Sequence, residues 1–245
     1  MTLPAAIAVI PCRFAAERLP GKPLADIHGR PMVAWVVDRC RQAQRVGRVL
    51  VATDDPRIAD AAEQAGAEAL LSTGPCATGS DRVAQAVRAL GLDPQARLIN
   101  VQGDEPLVDP AVIDAVLGAL DDPSVDVATA AAPLLDDPNE AARVKVVTDL
   151  AGRALYFSRA PVPWGGPWQV HLGLYAFRVA ALLRFAGLPR GRLEQGERLE
   201  QLRLLEHGLP IQVVPAGQHQ PSVDTPQDLA RVRSLLAPSL PTPRT

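Results

Sequence analysis

Short apolar runs alternate with helix-patterned segments through the first half of the chain, and this alternation leaves few architectures open. Ala5 to Ile10, Arg48 to Thr53, Ala67 to Leu71 and Leu98 to Val101 are too short for helices and read as buried strands. Between them, Met32, Trp35, Val36 and Cys40 recur at helical spacing behind Pro31, with Trp35 assigned to the core. Asp54-Asp55-Pro56 opens a second helix that Gly66 ends, and Pro110 to Leu120 forms a further one. Strands and helices in this order fold as a right-handed, mostly parallel sheet with helices on both faces, an α/β class.

From Val125 the pattern changes to strands separated by turns: Val125 to Ala132, Val144 to Thr148, Ala154 to Ser158 and His171 to Phe177. Residues 125–190 are therefore expected to form an inserted, antiparallel-rich section. Its loop of Pro161, Pro163, Gly165, Gly166 and Pro167 suits a substrate lid or a partner contact. A helix over Leu193 to Glu206, a strand over Pro210 to Val214 and a helix over Pro226 to Leu236 follow, making residues 1–237 one domain and 238–245 a frayed tail. Net charge is -2, so no general attraction to nucleic acid or anionic membrane is expected. The three cysteines, Cys12, Cys40 and Cys76, fit neither a disulfide framework nor a zinc site and suggest a reducing cytoplasm. No cationic leader and no long apolar run is present, so neither export nor membrane spanning is expected.

The chemistry concentrates at strand ends. Behind the first strand, Pro11, Pro20 and Pro23 stiffen a loop in which Gly21 supplies a turn and Arg13, Arg18 and Lys22 fall within ten residues. Only Glu17 and Asp26 lie nearby as counter-charge, so the loop reads as a phosphate grip, against the commoner fate of a solvated basic loop. Neither a Walker loop nor Gly-x-Gly-x-x-Gly is present. Ser80 or Asp81 sits where a helix N-cap belongs, and Arg82 would add charge if that helix start faced a nucleotide. Gln102-Gly103-Asp104-Glu105-Pro106 turns after a buried strand and offers a carboxylate suited to Mg²⁺, or a turn whose Asp104 bonds its own backbone. In the charged segment from Leu193 to Arg203, most charges read as a solvated helix face with pairs such as Glu200 and Arg203. Asp224 precedes the last helix, where an N-cap is the plainer reading.

Together these motifs resemble the sugar nucleotidyltransferases, and in particular the 3-deoxy-manno-octulosonate cytidylyltransferases, or CMP-Kdo synthetases. The likeness rests on Pro11, Arg13 and Arg18-Leu19-Pro20-Gly21-Lys22-Pro23-Leu24, on the runs 102–106, 154–160, 171–178 and 193–203, and on Val223-Asp224-Thr225-Pro226-Gln227-Asp228-Leu229. It departs from the family's pattern at Ala16 and Glu17, where small hydroxyl residues are usual, and in a shorter 164–171 segment.

The resemblance implies a three-layer Rossmann-like nucleotidyltransferase fold. It further implies transfer of the cytidylyl group of CTP to a 2-keto-3-deoxy sugar acid, for lipopolysaccharide-type glycan synthesis, by a homodimer. By the same resemblance Arg13, Lys22, Asp104 and Asp224 are catalytic, with Mg²⁺ on Asp104 and Asp224. Pro11, Arg13, Gly21, Lys22, Ser80 and Arg82 would hold the nucleotide. Arg18, Gln102, Arg159, His171, Tyr175, Glu200 and Gln201 would hold the sugar. A relative using another sugar acid, or a catalytically silent nucleotide-binding module, are the alternatives.

Overall fold

A computed structural model of the chain describes residues 5–15, 18–72, 74–76 and 78–237. The expected tail at 238–245, like Ala16 and Glu17, lies outside these residues. In chain order the elements are β1 (Ala6–Cys12), a single 3-10 turn (Lys22–Leu24), β2 (Asp26–Ile27), β3 (Arg30–Pro31), α1 (Met32–Gln42), β4 (Val46–Thr53), α2 (Pro56–Gln64) and β5 (Glu68–Leu71). There follow α3 (Gly79–Leu90), β6 (Arg97–Asn100), α4 (Pro110–Ala119), β7 (Val127–Pro133), β8 (Lys145–Thr148), β9 (Ala154–Ser158) and β10 (Gln169–Arg178). The chain closes with α5 (Val179–Gly187), α6 (Arg192–Glu197), α7 (Leu202–Glu206), β11 (Gln212–Pro215) and α8 (Pro226–Leu236).

The main sheet runs β11-β7-β10-β6-β1-β4-β5. β1 lies between β4 and β6, parallel to both, and every residue of it is buried. A strand covered on both faces has no polar side to show, which explains its continuous apolar run. Alternation sorts its side chains into two cores. Ile7 and Val9 pack with Val83 and Val87 of α3, Phe185 of α5 and Leu202 of α7, whereas Ala8 and Ile10 pack with Val36 of α1, Ile58 of α2 and Val116 of α4. This is the three-layer arrangement. Among the described residues no helix is long and apolar enough to cross a membrane.

Several expectations need correction. The section from residue 125 is less separate than its turn-rich pattern suggests, because β7 and β10 are members of the main sheet and only the β8–β9 hairpin leaves that path. The antiparallel character expected of this section is present: β10 runs antiparallel to both β6 and β7. The helix expected over Leu193 to Glu206 is broken into α6 and α7, with Arg198 in the left-handed region at φ 55°. The break lets Arg203 reach back to Glu194, at 2.7 and 2.6 Å, in place of the expected Glu200 partner. Asp26 to Arg30 forms the β2–β3 hairpin, turning at His28 and Gly29, and Trp35, expected in the core, is only half-buried, donating from Nε1 to Ile27 O at 3.1 Å. α5 lies in a stretch to which the sequence pattern assigns no element.

Candidate active site

The carboxyl ends of β1 and β6 open into a cleft of about 370 Å³, lined by Pro11, Arg13, Arg18, Lys22, Arg82, Gln102, Asp104 and Asp224 among others. Crevices beyond strand carboxyl ends are where open α/β sheets bind ligands. Gly21 begins the 3-10 turn at φ 69°, and a Cβ there would come within 3.1 Å of the Phe14 ring. Gly21 N donates to Phe14 O at 3.0 Å, and Phe14 N donates to Asp54 Oδ1 at 3.0 Å, so the loop is anchored on itself and on the neighbouring β4 end. Gly103 lies in the expected turn, closed by Glu105 N donating to Gln102 O at 3.2 Å, and also serves a close approach. A Cβ there would lie 2.5 Å from Cys12 Sγ and 3.2 Å from Pro11 O, so only glycine lets the acid-bearing loop press onto β1.

The counter-charge that the local sequence lacks arrives from far along the chain. Lys22 Nζ donates to Asp104 Oδ2 at 2.6 Å and to Asp224 Oδ1 at 3.1 Å, and Arg18 lies 3.2 Å from Asp224 Oδ2. Burial opposes the Lys22 charge, but attraction and hydrogen bonds from Asp104 and Asp224 outweigh it and raise its pKa. The two acid loops are joined directly, since Val223 N donates to Asp104 O at 2.9 Å.

Neither aspartate is occupied by the plainer roles considered above. Thr225 caps α8 in a reciprocal box with Asp228, which leaves the Asp224 carboxylate free for the cleft. Thr78 likewise caps α3 with Asp81, so neither Ser80 nor Asp81 is the N-cap, and the Ser80 hydroxyl instead donates to Glu200 Oε1 at 2.6 Å. Two carboxylates meeting on one ammonium suit a hard cation that takes its remaining ligands from phosphate and water. Among the described residues no cluster of three or more metal-ligating side chains occurs.

Arg82 is buried and fixed by bonds to Ser72 Oγ at 2.7 Å and Asp54 Oδ2 at 2.9 Å, while Arg13 is exposed and makes no ion pair among the described residues. The cleft also contains residues that sequence reasoning missed: Cys12, Leu19, Cys76, Thr78 and Gly79. Burial, then the Asp104 charge, pushes the Cys12 thiol up to about 12, so it stays protonated and packs against Gly103. Asp54, which positions both Phe14 and Arg82, was visible in the sequence only as a neighbour of the α2 cap.

The residues assigned to a sugar divide differently. Arg18 and Gln102 line the cleft. Tyr175, Glu200 and Gln201 meet Ser80, Phe177 and Phe185 around a tight crevice with no room for a water molecule. Glu200 also borders a second groove of about 340 Å³, which shares Thr78 with the cleft and carries Arg190 and Arg198. His171 is half-buried, bonded through Nε2 to Thr129 Oγ1 at 3.0 Å, and edge-on to Phe157. Burial, with a smaller push from His219, presses its pKa down to about 3. Arg159 ties β9 to α6, donating to Glu197 O at 2.8 Å and Ala141 O at 2.9 Å. The structure therefore does not bring His171, Arg159, Tyr175, Glu200 or Gln201 to the cleft wall, nor Ser80, expected at the nucleotide.

The cytidylyltransferase family profile matches residues 7–211. The chain belongs to the cytidylyltransferase family. It is 53% identical to a 3-deoxy-manno-octulosonate cytidylyltransferase of Anaeromyxobacter sp. (strain Fw109-5), covering 94% of this chain and 96% of that one. It is 50% identical to the Rhodospirillum centenum protein of the same name, over 95% and 93% of the two chains. The structure superposes on a CMP:2-keto-3-deoxy-manno-octonic acid synthetase complexed with CTP with a TM-score of 0.90 and 39% identity, covering 95% of this chain and 98% of that one. A Leptospira borgpetersenii cytidylyltransferase, 15% identical with a TM-score of 0.63 over 95% and 86% of the chains, shares the fold.

Proposed function

We propose that this protein transfers the cytidylyl group of CTP to 3-deoxy-manno-octulosonate, forming CMP-Kdo and pyrophosphate for lipopolysaccharide-type glycan synthesis. The observation that carries this reading is the meeting of Lys22 with Asp104 and Asp224 in a cleft that Arg13, Arg18 and Arg82 also line. Such a site neutralises a triphosphate and holds two carboxylates beside it.

The anomeric hydroxyl attacks the α-phosphorus, the bond to the β-phosphate oxygen breaks, and pyrophosphate departs in line. Positioning and charge neutralisation provide most of the acceleration in such displacements. Arg13 and Lys22, with Arg18 at the rim, face the charge of the triphosphate and of the leaving pyrophosphate. Arg82 and the start of α3 face the nucleoside, and Gln102 stands between the two substrates. Asp104 and Asp224 would hold Mg²⁺, which when bound polarises phosphate oxygens and adds positive charge where negative charge develops. Lys22 satisfies these acids in the ligand-free protein and would turn to phosphate as the substrate complex assembles.

Exposure of the large apolar side chains Leu135, Leu150, Leu155 and Trp164, between β7 and β10 in the chain, supports a homodimer. A cytoplasmic setting follows from the CTP requirement. The deciding assay follows pyrophosphate release from CTP with a panel of 2-keto-3-deoxy sugar acids. Release only with 3-deoxy-manno-octulosonate is expected. Preference for another acid would reassign the substrate, and no release with any acid would make the chain a silent binding module.

A further inference from the structure

One patch on the α3 side of the sheet holds buried polar atoms without partners among the described residues. Asn100 is fully buried, and neither its Nδ2 nor its Oδ1 makes a hydrogen bond; Tyr175 Oη and Glu200 Oε2 are also unpaired. These groups are neighbours by topology. Asn100 stands opposite Tyr175 in the antiparallel β6–β10 pairing, which places their side chains on one face with Cβ atoms about 5 Å apart. Tyr175 and Glu200 line the same tight crevice, and Glu200 is held there by Ser80. Two residues beyond Asn100, Gln102 enters the cleft.

An apolar side chain of similar size would fill the Asn100 site without stranding two polar atoms, and buried polar groups left unpaired are costly enough to be rare. The same strand carries Leu98 on this face, wholly apolar and packed in the core, so the local environment does not demand an amide. Two of the other orphan atoms instead belong to Tyr175 and Glu200, which the resemblance assigns to the sugar.

We propose that Asn100 is a positioning residue for the sugar acid: in the substrate complex its amide bonds the Tyr175 hydroxyl and fixes the direction in which that hydroxyl meets the substrate. The inference rests on the proposed function above. Asn100 stands across from Tyr175 in the sheet and does not line the cleft, so its removal weakens the sugar acid without disturbing CTP.

The test combines melting temperatures with separate titrations of CTP and sugar acid for Asn100→Leu, Asn100→Thr, Tyr175→Phe and the Asn100→Leu/Tyr175→Phe pair. Asn100→Leu is expected to melt at or above the wild-type temperature and to keep its KM for CTP within about twofold. Its KM for the sugar acid rises roughly tenfold, as one lost hydrogen bond of this kind implies. Asn100→Thr, which keeps a hydroxyl at the site, recovers part of that loss, and the double variant is no worse than either single one.

An unchanged sugar-acid KM in Asn100→Leu, or losses that multiply in the double variant, overturns the proposal. So does a lower melting temperature with unaltered kinetics per folded molecule, which marks a purely structural amide. If Asn100→Leu does not fold, Asn100→Thr alone and combined with Tyr175→Phe decides by the same criteria. Wild-type turnover is measured first: its absence removes the proposed function, whereas turnover with an unshifted Asn100 variant removes only the role of Asn100.

Discussion

The cleft at the ends of β1 and β6 and the polar patch beneath β10 solve the problem of buried polarity in opposite ways. In the cleft, charges face open space and are already paired: Lys22 with two aspartates, Arg18 with Asp224, Arg82 with Asp54. In the patch, Asn100, Tyr175 and Glu200 are enclosed and incompletely paired. The cleft proposed for the nucleotide is therefore organised in the ligand-free fold, with an ammonium holding the two carboxylates together. The patch proposed to hold the sugar acid keeps unpaired buried polar atoms in the ligand-free fold. Affinity on the first side is expected to depend on charge, and on the second side on hydrogen-bond geometry.

The largest effects belong to the acids. Asp104→Asn and Asp224→Asn should each lower turnover by more than about a hundredfold, since several kcal/mol of charge stabilisation is at stake. The double variant should be scarcely worse, because groups that act as one unit lose function non-additively. As Thr225 does the capping of α8, Asp224→Asn should not cost the roughly 1 kcal/mol of a lost cap. Kinetics and melting curves of the three variants across a Mg²⁺ titration measure both quantities. Near-normal turnover in either single variant would separate the two acids and break the idea of a preassembled cleft.

Lys22→Ala comes next and probes the same half from the cationic side. CTP utilisation should fall at least tenfold, while the sugar-acid KM at saturating CTP changes little. Unlike a free loop cation, Lys22 is only 15% exposed and its loss leaves two acids facing each other, so the ligand-free protein should also lose about 1–2 kcal/mol, a few degrees of melting temperature. Mg²⁺ should restore that loss at lower concentration than it acts on the wild type, where Lys22 competes for the acids. A melting temperature insensitive to Mg²⁺ in both proteins would argue against a cation on this pair.

Gln201→Ala should show the reverse asymmetry at smaller amplitude. Its sugar-acid KM is expected to rise about five- to tenfold, the worth of one or so hydrogen bonds, with CTP binding intact. Paired titrations of both substrates check it. A loss on the CTP side instead would mean that the tight crevice around Gln201 supports the nucleotide half.

What could be read from the sequence follows the same division. The loop carrying Arg13 and Lys22, the Gln102 to Pro106 run and the acid at Asp224 each signal through consecutive residues at a strand or helix end, and all three reach the cleft. The pairing of Lys22 with Asp104 and Asp224 spans 82 and 202 positions, so no local pattern contains it. The caps were legible and were misread: Thr78 and Thr225 each precede an aspartate by three residues, the spacing of a capping box, which frees Ser80 and Asp224 for other work. Asn100 was visible as one polar residue in an apolar run. Its meaning depends on β10 lying antiparallel beside it and on α6 ending at Arg198, and both are outcomes of tertiary packing.

The smallest effect tests whether the sugar half is closed in solution. His171 has its pKa depressed to about 3 by burial, against about 6.5 in an unfolded chain. Between these values the unfolded chain binds a proton that the folded one refuses, so stability is present above about pH 6.5 and lost as pH falls towards 3. The slope contributed by this one ring is at most about 1.4 kcal/mol per pH unit, less to the extent that water reaches it. His171→Gln keeps a group able to bond Thr129 and removes the titration, so its melting temperature should fall less between pH 6.5 and 4.5 than that of the wild type. Carboxylates that also titrate in this range are common to both proteins and cancel in the difference. Equal falls would mean that His171 titrates normally, open to water, and the contrast between a prepared nucleotide half and an enclosed sugar half would then belong to the ligand-free fold only in part.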